Sequence, residues 1–159
     1  MSVIRQQSLE VFADYHQFYV QDGDINPPAP EDWTEEDIAN RSKAENNVVV
    51  VCPLRRMTVA VAVELHDSEP KAETDLSDHV VECSLDLPTG HLQVHECTGG
   101  PVMDWDIPAG SYHVRLSFAG LKSISENGLE GDDSYKVELW PGPSRELRVT
   151  RTWSVADEA

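Results

Sequence analysis

Between Gln6 and Asn40 the chain has no lysine and no arginine, while nine carboxylates fall in the same stretch: Glu10, Asp14, Asp22, Asp24, Glu31, Asp32, Glu35, Glu36 and Asp37. Positive charge is scarce throughout, with 12 Lys plus Arg against 29 Asp plus Glu and a formal net charge of −17. Such a chain repels phosphate backbones and anionic lipid, so direct binding to nucleic acid or to a membrane is not expected. Long apolar runs are missing as well. The longest, Thr58 to Val63 around Ala60 and Ala62, has strand length, and Met1 to Val11 holds one arginine and no signal-peptide core. The three cysteines, Cys52, Cys83 and Cys97, form no CxxC and no zinc spacing. They read as reduced, mostly core thiols of a cytoplasmic protein. No nucleophile elbow, P-loop or glycine-rich dinucleotide fingerprint occurs, so an enzyme is not expected.

What is present is a succession of short Val-, Leu-, Thr- and aromatic-rich runs punctuated by Gly, Pro, Asp and Ser. That pattern predicts an all-β domain spanning 1–159: a β-sandwich of about eight or nine mainly antiparallel strands. A first strand is expected over Leu9 to Val20 with a break near His16, followed by a proline-rich loop from Gln21 to Glu31. Thr34-Glu35-Glu36-Asp37 has the form of a capping box with Asp in place of Glu, and it predicts one short helix near residues 34–45 with Ile38 and Ala39 facing a core. Arg41 and Lys43 would complement its far end.

Asn47 to Cys52 is continuously apolar and should be buried on both faces. Strands are expected at Met57–Leu65, His79–Leu87 and His91–Cys97, the last with Leu92 and Val94 inward. Val102–Ile107 and Ser111–Phe118 flank Pro108-Ala109-Gly110 and read as a hairpin. Tyr135–Trp140 and Glu146–Trp153 complete the sheets, and Ala156 to Ala159 form a frayed tail.

Several constellations invite a chemical reading. Asp22-Gly23-Asp24-Ile25-Asn26 imitates the start of a calcium loop, but Pro27 stands where the loop needs Gly and Trp33 where it needs a bidentate Glu. His91 and His95 share one strand face about 13 Å apart, too far to chelate one ion unless His113 or another strand assists. Asp104 and Asp106 lie on one side of their strand about 7 Å apart, the ordinary look of a wet face. Arg145, Arg148 and Arg151, with Arg55 and Arg56, are read as internal neutralisers of the acidic surface. No cofactor and no metal ligand is assigned.

Tyr15, Tyr19 and Trp33 stand beside the acidic loop and helix at 21–45. Aromatics in strands usually pack inward, yet aromatic anchors with a charged rim are also the ingredients of a binding hot spot.

Tyr15-His16-Gln17-Phe18, then Asp32-Trp33-Thr34 and the capped helix, resemble the competence protein J family, whose members inhibit a DNA-entry nuclease. Asp106-Ile107-Pro108-Ala109-Gly110-Ser111-Tyr112 resembles that family's Leu-Pro-x-Gly-x-Tyr segment, with Ile107 replacing Leu. The matching pieces run in order over roughly two thirds of the chain. The Pro108-x-Gly110-x-Tyr112 segment and Tyr135-Lys136-Val137-Glu138-Leu139-Trp140-Pro141 also resemble a broad set of uncharacterised bacterial β-sandwich proteins, which carries fold without function. This chain adds an acidic connection near Glu69 to Asp78.

The reading that follows is an acidic protein-binding module, an inhibitor or immunity-type partner of a basic protein such as a nuclease. Its contact residues would be Tyr15, Tyr19, Asp22, Asp24, Glu31, Asp32, Trp33, Glu35, Glu36 and Asp37. The alternative is a ligand- or metal-binding sandwich with His91, His95 and His113 converging between strands.

Overall fold

A computed structural model describes residues 3–72 and 76–153. The expected tail at 156–159 and part of the acidic connection lie outside the described residues. Among them, eleven strands form two sheets. Six strands make the first sheet: β1 (Val3–Phe12), β5 (Thr58–His66), β10 (Ser134–Pro141), β9 (Gly110–Ala119), β6 (His79–Leu87) and β11 (Arg148–Arg151), in that spatial order. The second sheet orders β3 (Ser42–Glu45), β4 (Val48–Val51), β2 (Phe18–Asp22), β7 (His91–Glu96) and β8 (Gly100–Asp106). Every pairing is antiparallel except β10 with β5.

The period-2 alternation of these strands makes the core. Val59, Val61 and Val63 of β5, Val114, Leu116 and Phe118 of β9, and Val81, Cys83 and Leu85 of β6 point inward. They meet Phe18 and Val20, Val49 and Val51, Leu92 and Val94, and Met103 and Trp105 of the other sheet. Strand β4 is buried along its whole length, as its unbroken valine run requires. Its second face is covered: Tyr19, Val48 and Val50 form a small outer cluster against which Trp33, Cys52 and Cys97 pack.

Three expectations are corrected. The first strand is two strands in different sheets, because Asp14–His16 makes a single 3-10 turn in which Tyr15 (φ 56°) and His16 (φ 58°) take left-handed conformations and reverse the chain. The helix ends early. α1 covers only Glu35–Asn40, stops on Arg41 at φ 57°, and Ser42–Glu45 continues as an edge strand; Ile38 is 63% exposed rather than core-facing. The Pro108 segment is no hairpin, since β8 and β9 belong to opposite sheets. It is a corner between layers, held by Ile107 N–H donating to Gly90 O and by the Tyr112 hydroxyl donating to Pro108 O.

Candidate protein-binding groove

The corner at Asp14–His16 projects Tyr15 away from the sandwich, and its side is 59% exposed. A bulky side chain at positive φ is unusual and costs on the order of 1–3 kcal/mol, so the surroundings must hold it there. Asp14 does so: its carboxylate accepts from Tyr15 N–H at 3.1 Å, from Arg56 Nε at 2.9 Å and from Thr98 Oγ1 at 2.9 Å. The Arg56 bond, more than the Thr98 bond, holds the Asp14 carboxyl below its ordinary pKa. The same guanidinium stacks 4.2 Å from the centre of the Tyr15 ring.

Tyr15, His16 and Gln17 form one wall of an open groove of about 810 Å³. Trp33, Ile38 and Arg41 form a second wall, and the loop carrying Leu121, Lys122, Ile124, Ser125, Glu126 and Gly128 a third. Cys52, Pro53 and Leu54, just after β4, are its floor. The floor is fixed from beneath. Leu54 N–H donates to the Tyr135 hydroxyl at 3.0 Å, that hydroxyl donates to Asp133 at 2.6 Å, and Arg55 Nε donates to the same buried carboxylate at 2.6 Å. Arg55 also reaches Leu129 O at 3.3 Å, which ties the floor to the 121–133 segment. Burial pushes the Cys52 thiol up to about 12, so the groove presents a neutral thiol and not a thiolate nucleophile.

The helical wall is built locally. Thr34 Oγ1 accepts from Asp37 N–H at 3.1 Å and Asp37 accepts from Thr34 N–H at 3.0 Å, the reciprocal capping box. Lys43 Nζ reaches Asp37 at 2.8 Å and sits 5.9 Å from the Trp33 ring. Trp33 Nε1 donates to Pro30 O at 3.2 Å, orienting its ring over the outer cluster. The far end of α1 is pinned by buried His79, whose Nε2 lies 2.8 Å from Asn40 O while Nδ1 accepts from Trp153 N–H at 3.0 Å.

The ten expected contact residues divide. Tyr15 and Trp33 stand in the groove walls. Glu31, Asp32, Glu35 and Glu36 are exposed on the segment that carries Trp33 and α1. Asp24 is exposed and pairs with His91 Nδ1 at 2.9 Å. Asp37 is engaged by the cap and Lys43, which together hold its carboxyl below the usual range.

Tyr19 and Asp22 are corrected. Tyr19 is 8% exposed, with its hydroxyl on Gln17 and Cys97; the turn at Tyr15 removes the shared face that the spacing suggested. Asp22 is fully buried and accepts from Asp24 and Ile25 N–H and from Thr89 N–H and Oγ1, so it builds the loop and has no free face for a partner. Ile38, expected in the core, and the 121–128 loop were not read as site residues from the sequence. Their one signal was an isolated isoleucine on a helix otherwise polar.

The histidines do not converge. His91 and His95 lie on the outer side of the second sheet, opposite inward Leu92 and Val94, whereas His113 lies on the outer side of the first, opposite inward Tyr112 and Val114. One cluster among the described residues, Glu64, His66 and Glu138, does bring possible metal-ligand atoms within 4.8 Å of one another. Lys136 Nζ already lies 3.7 Å from Glu64 and 3.9 Å from Glu138, and Arg115 lies 3.5 Å from Glu138, so fixed cations occupy its surroundings. Among the described residues no helix is long and apolar enough to cross a membrane.

The molecule is an all-β sandwich with an open aromatic-walled groove at one corner. Its fold is shared with ComJ, inhibitor of the DNA degrading activity of NucA, from Bacillus subtilis: the TM-score is 0.66 at 20% identity, over 89% of this chain and 98% of that one. It is also similar to the protein of crocagin biosynthetic gene J, with TM-score 0.55 and 20% identity over 90% of this chain and 100% of that one. No protein-family model and no curated protein matches the sequence. The resemblance to the competence protein J family read from short motifs therefore extends to the fold as a whole.

Proposed function

We propose that this chain is a protein-binding module of the inhibitor type, and that its partner is a basic protein of the nuclease class. The observation that carries the reading is Tyr15, held exposed at a strained corner beside a groove that also offers Trp33 and Ile38. A solvent-exposed aromatic kept in an unfavourable backbone state by a dedicated carboxylate and guanidinium has the character of a preorganised anchor. An apolar or aromatic side chain of the partner enters the groove, and Glu31, Asp32, Glu35 and Glu36 meet lysines and arginines around it. Blocking a basic nuclease face with carboxylates would deny it to phosphate, and the fold shared with an inhibitor of a DNA-degrading nuclease supports this direction. The groove also has the volume of a small-molecule cleft, which keeps a ligand-binding module as the second reading.

The test is capture of partners from the source lysate, followed by a DNA-degradation assay on the purified captured protein. Inhibition by this chain, weakened as salt is raised, is expected. Tyr15→Asn keeps a residue that tolerates positive φ while removing the ring, so it should lower affinity about tenfold or more with stability within about 0.5 kcal/mol of the parent. A captured protein that binds equally well after Tyr15→Asn and Trp33→Ala would overturn the groove as the contact site. Salt-independent binding would remove the electrostatic part.

A further inference from the structure

We propose that β1 is the seam of a homodimer, formed by antiparallel pairing of its free edge with β1 of a second copy about a two-fold axis at Ser8. This goes beyond the groove reading and uses none of the groove's residues.

Strand β1 is an edge strand ten residues long, paired with β5 alone among the described residues. The side on which its backbone groups remain unpaired follows from two bonds at its end. Ala13 N–H donates to Met57 O on the β5 side, whereas Phe12 N–H points the other way and donates to Glu96 Oε2 at 2.7 Å. The register with β5 is regular from Arg5 to Phe12, so odd residues bond inward and Gln6, Ser8 and Glu10 present their N–H and C=O to the open edge. Long unprotected edges are templates for pairing, and this one carries no proline and no lysine.

The occupant is specified by the side chains of Gln6, Ser8 and Glu10, which face outward opposite inward Val11. Gln6 and Glu10 each stand two residues from Ser8. With Ser8 opposite Ser8 of the second copy, Gln6 faces Glu10 of that copy in a pair that can hydrogen-bond side chain to side chain. The ladder ends at Gln6 and Glu10, because the register with β5 slips between Val3 and Arg5 at one end and Phe12 N–H is already held by Glu96 at the other. Parity agrees: residues whose backbone groups face outward oppose one another, as an antiparallel ladder requires. Charge agrees as well. The strand carries Arg5 and Glu10 and is neutral, so a molecule of net charge −17 meets its copy along a segment free of the one-sign repulsion found elsewhere. Pairing with a copy is self-complementary in a way that pairing with an unrelated extended segment is not.

The experiment is sedimentation equilibrium over a wide concentration range on the parent and on Ser8→Pro, joined to oxidative cross-linking of Ser8→Cys and Gln6→Cys. The parent should be dimeric. Ser8→Pro removes an outward N–H that no internal partner uses, and it should move the protein to monomer with its far-UV spectrum kept. Cys at 8 would stand about 5.5 Å from its copy in Cα separation, inside disulfide range. Cys at 6 would stand about 13 Å from its copy along the ladder. Ser8→Cys should therefore form a covalent dimer on oxidation, and Gln6→Cys should not. A parent that stays monomeric at every concentration overturns the proposal. So does equal cross-linking of the two cysteine variants, or a Ser8→Pro protein that remains dimeric. Should Ser8→Pro not fold, the cysteine pair decides.

Discussion

The two outer faces of the sandwich handle charge in opposite ways. On the first sheet Arg115 is 1% exposed, lying under Trp140 at 5.0 Å and bonded to Glu82 at 3.1 Å, to Pro70 O at 3.1 Å and more loosely to Glu138 at 3.5 Å. Arg148 adds a 2.7 Å pair to Glu82. Acid and base there are matched inside the protein and screened from solvent. Beside the second sheet, Glu31, Asp32, Glu35 and Glu36 are exposed on the segment that walls the groove. Among the described residues, the first face thus balances its buried charges internally, whereas the segment around α1 exposes carboxylates to solvent. The expectation that the arginines neutralise the acidic face is not met around α1: Arg55, Arg56, Arg145 and Arg148 pair instead with Asp133, Asp14 and Glu82.

The sharpest way to break this contrast is to remove the buried cation. Arg115→Ala removes the buried guanidinium shared by Glu82 and Glu138 and leaves them to their more exposed cationic partners Arg148, Arg145 and Lys136. A loss of about 3–5 kcal/mol is expected, read as a lowered denaturation midpoint. A loss below about 1 kcal/mol would mean that the face behaves like a surface ion pair.

The next effect separates the two glutamates that share Arg115. Burial pushes the Glu82 carboxyl up, but the bonds from Arg148 and Arg115 and the charges of Arg115 and Arg145 outweigh it, leaving the pKa below the ordinary value. For Glu138 burial dominates over the attraction of Lys136 and Arg115, leaving it above. The signs are opposite. Glu82 contributes stability that is present above the unfolded glutamate pKa and lost as pH falls through its lower folded value. Glu138 contributes stability below the unfolded pKa that is lost as pH rises through its higher folded value. At neutral pH Glu82→Gln should therefore cost about 2 kcal/mol or more, and Glu138→Gln little, with a relative stability that improves as pH rises from the acid side. Equal losses at neutral pH would contradict the assignment.

A smaller effect distinguishes two histidines near the anionic face. Burial, aided by the charge of Arg41 and opposed by the Asn40 bond, lowers the pKa of His79. Its contribution is present above the unfolded histidine pKa and is lost as pH falls through the lower folded value. His91 is the reverse: Asp24 and then Asp104 raise it, so what it contributes is present below the unfolded pKa and lost as pH rises through the higher one. Stability measured against pH for the parent and for His79→Gln should differ in slope on the acid side of neutrality, the parent losing more. The same variant should speed amide exchange at the end of α1, which His79 anchors. Parallel curves would show that folding leaves the His79 pKa unchanged and would overturn the assignment.

How much of this was legible in the sequence depends on which kind of signal each element carries. Alternation located His79–Leu87 to the residue and placed Leu92 and Val94 inward, because period 2 reports burial directly. It cannot report which sheet a strand joins. Met103 and Trp105 alternate inward just as Val114 and Leu116 do, although they line opposite sheets, and so a corner passed for a hairpin. The parallel contact of β10 with β5 joins segments some seventy residues apart and leaves no local trace. The groove is in the same position. Tyr15 and Trp33 were found by composition, whereas Ile38, Leu54 and Ile124 meet them only through the fold. The end of α1 was hidden because Arg41, not glycine, takes the left-handed position.

The smallest effect concerns that helix and sharpens the contrast from the exposed side. α1 has six residues, too few to persist without its cap, and its Ile38 and Ala39 are exposed, so little packing holds it. Thr34→Ala removes the acceptor for Asp37 N–H and should cost about 0.5–1 kcal/mol in overall stability. Its stronger effect should be local: faster amide exchange across Glu35–Asn40 and weaker partner capture, while the Arg115 face keeps its exchange protection unchanged. Were protection to fall equally on both faces, the cap would be supporting the whole sandwich, and the division of the molecule into a balanced face and an anionic contact face would not stand.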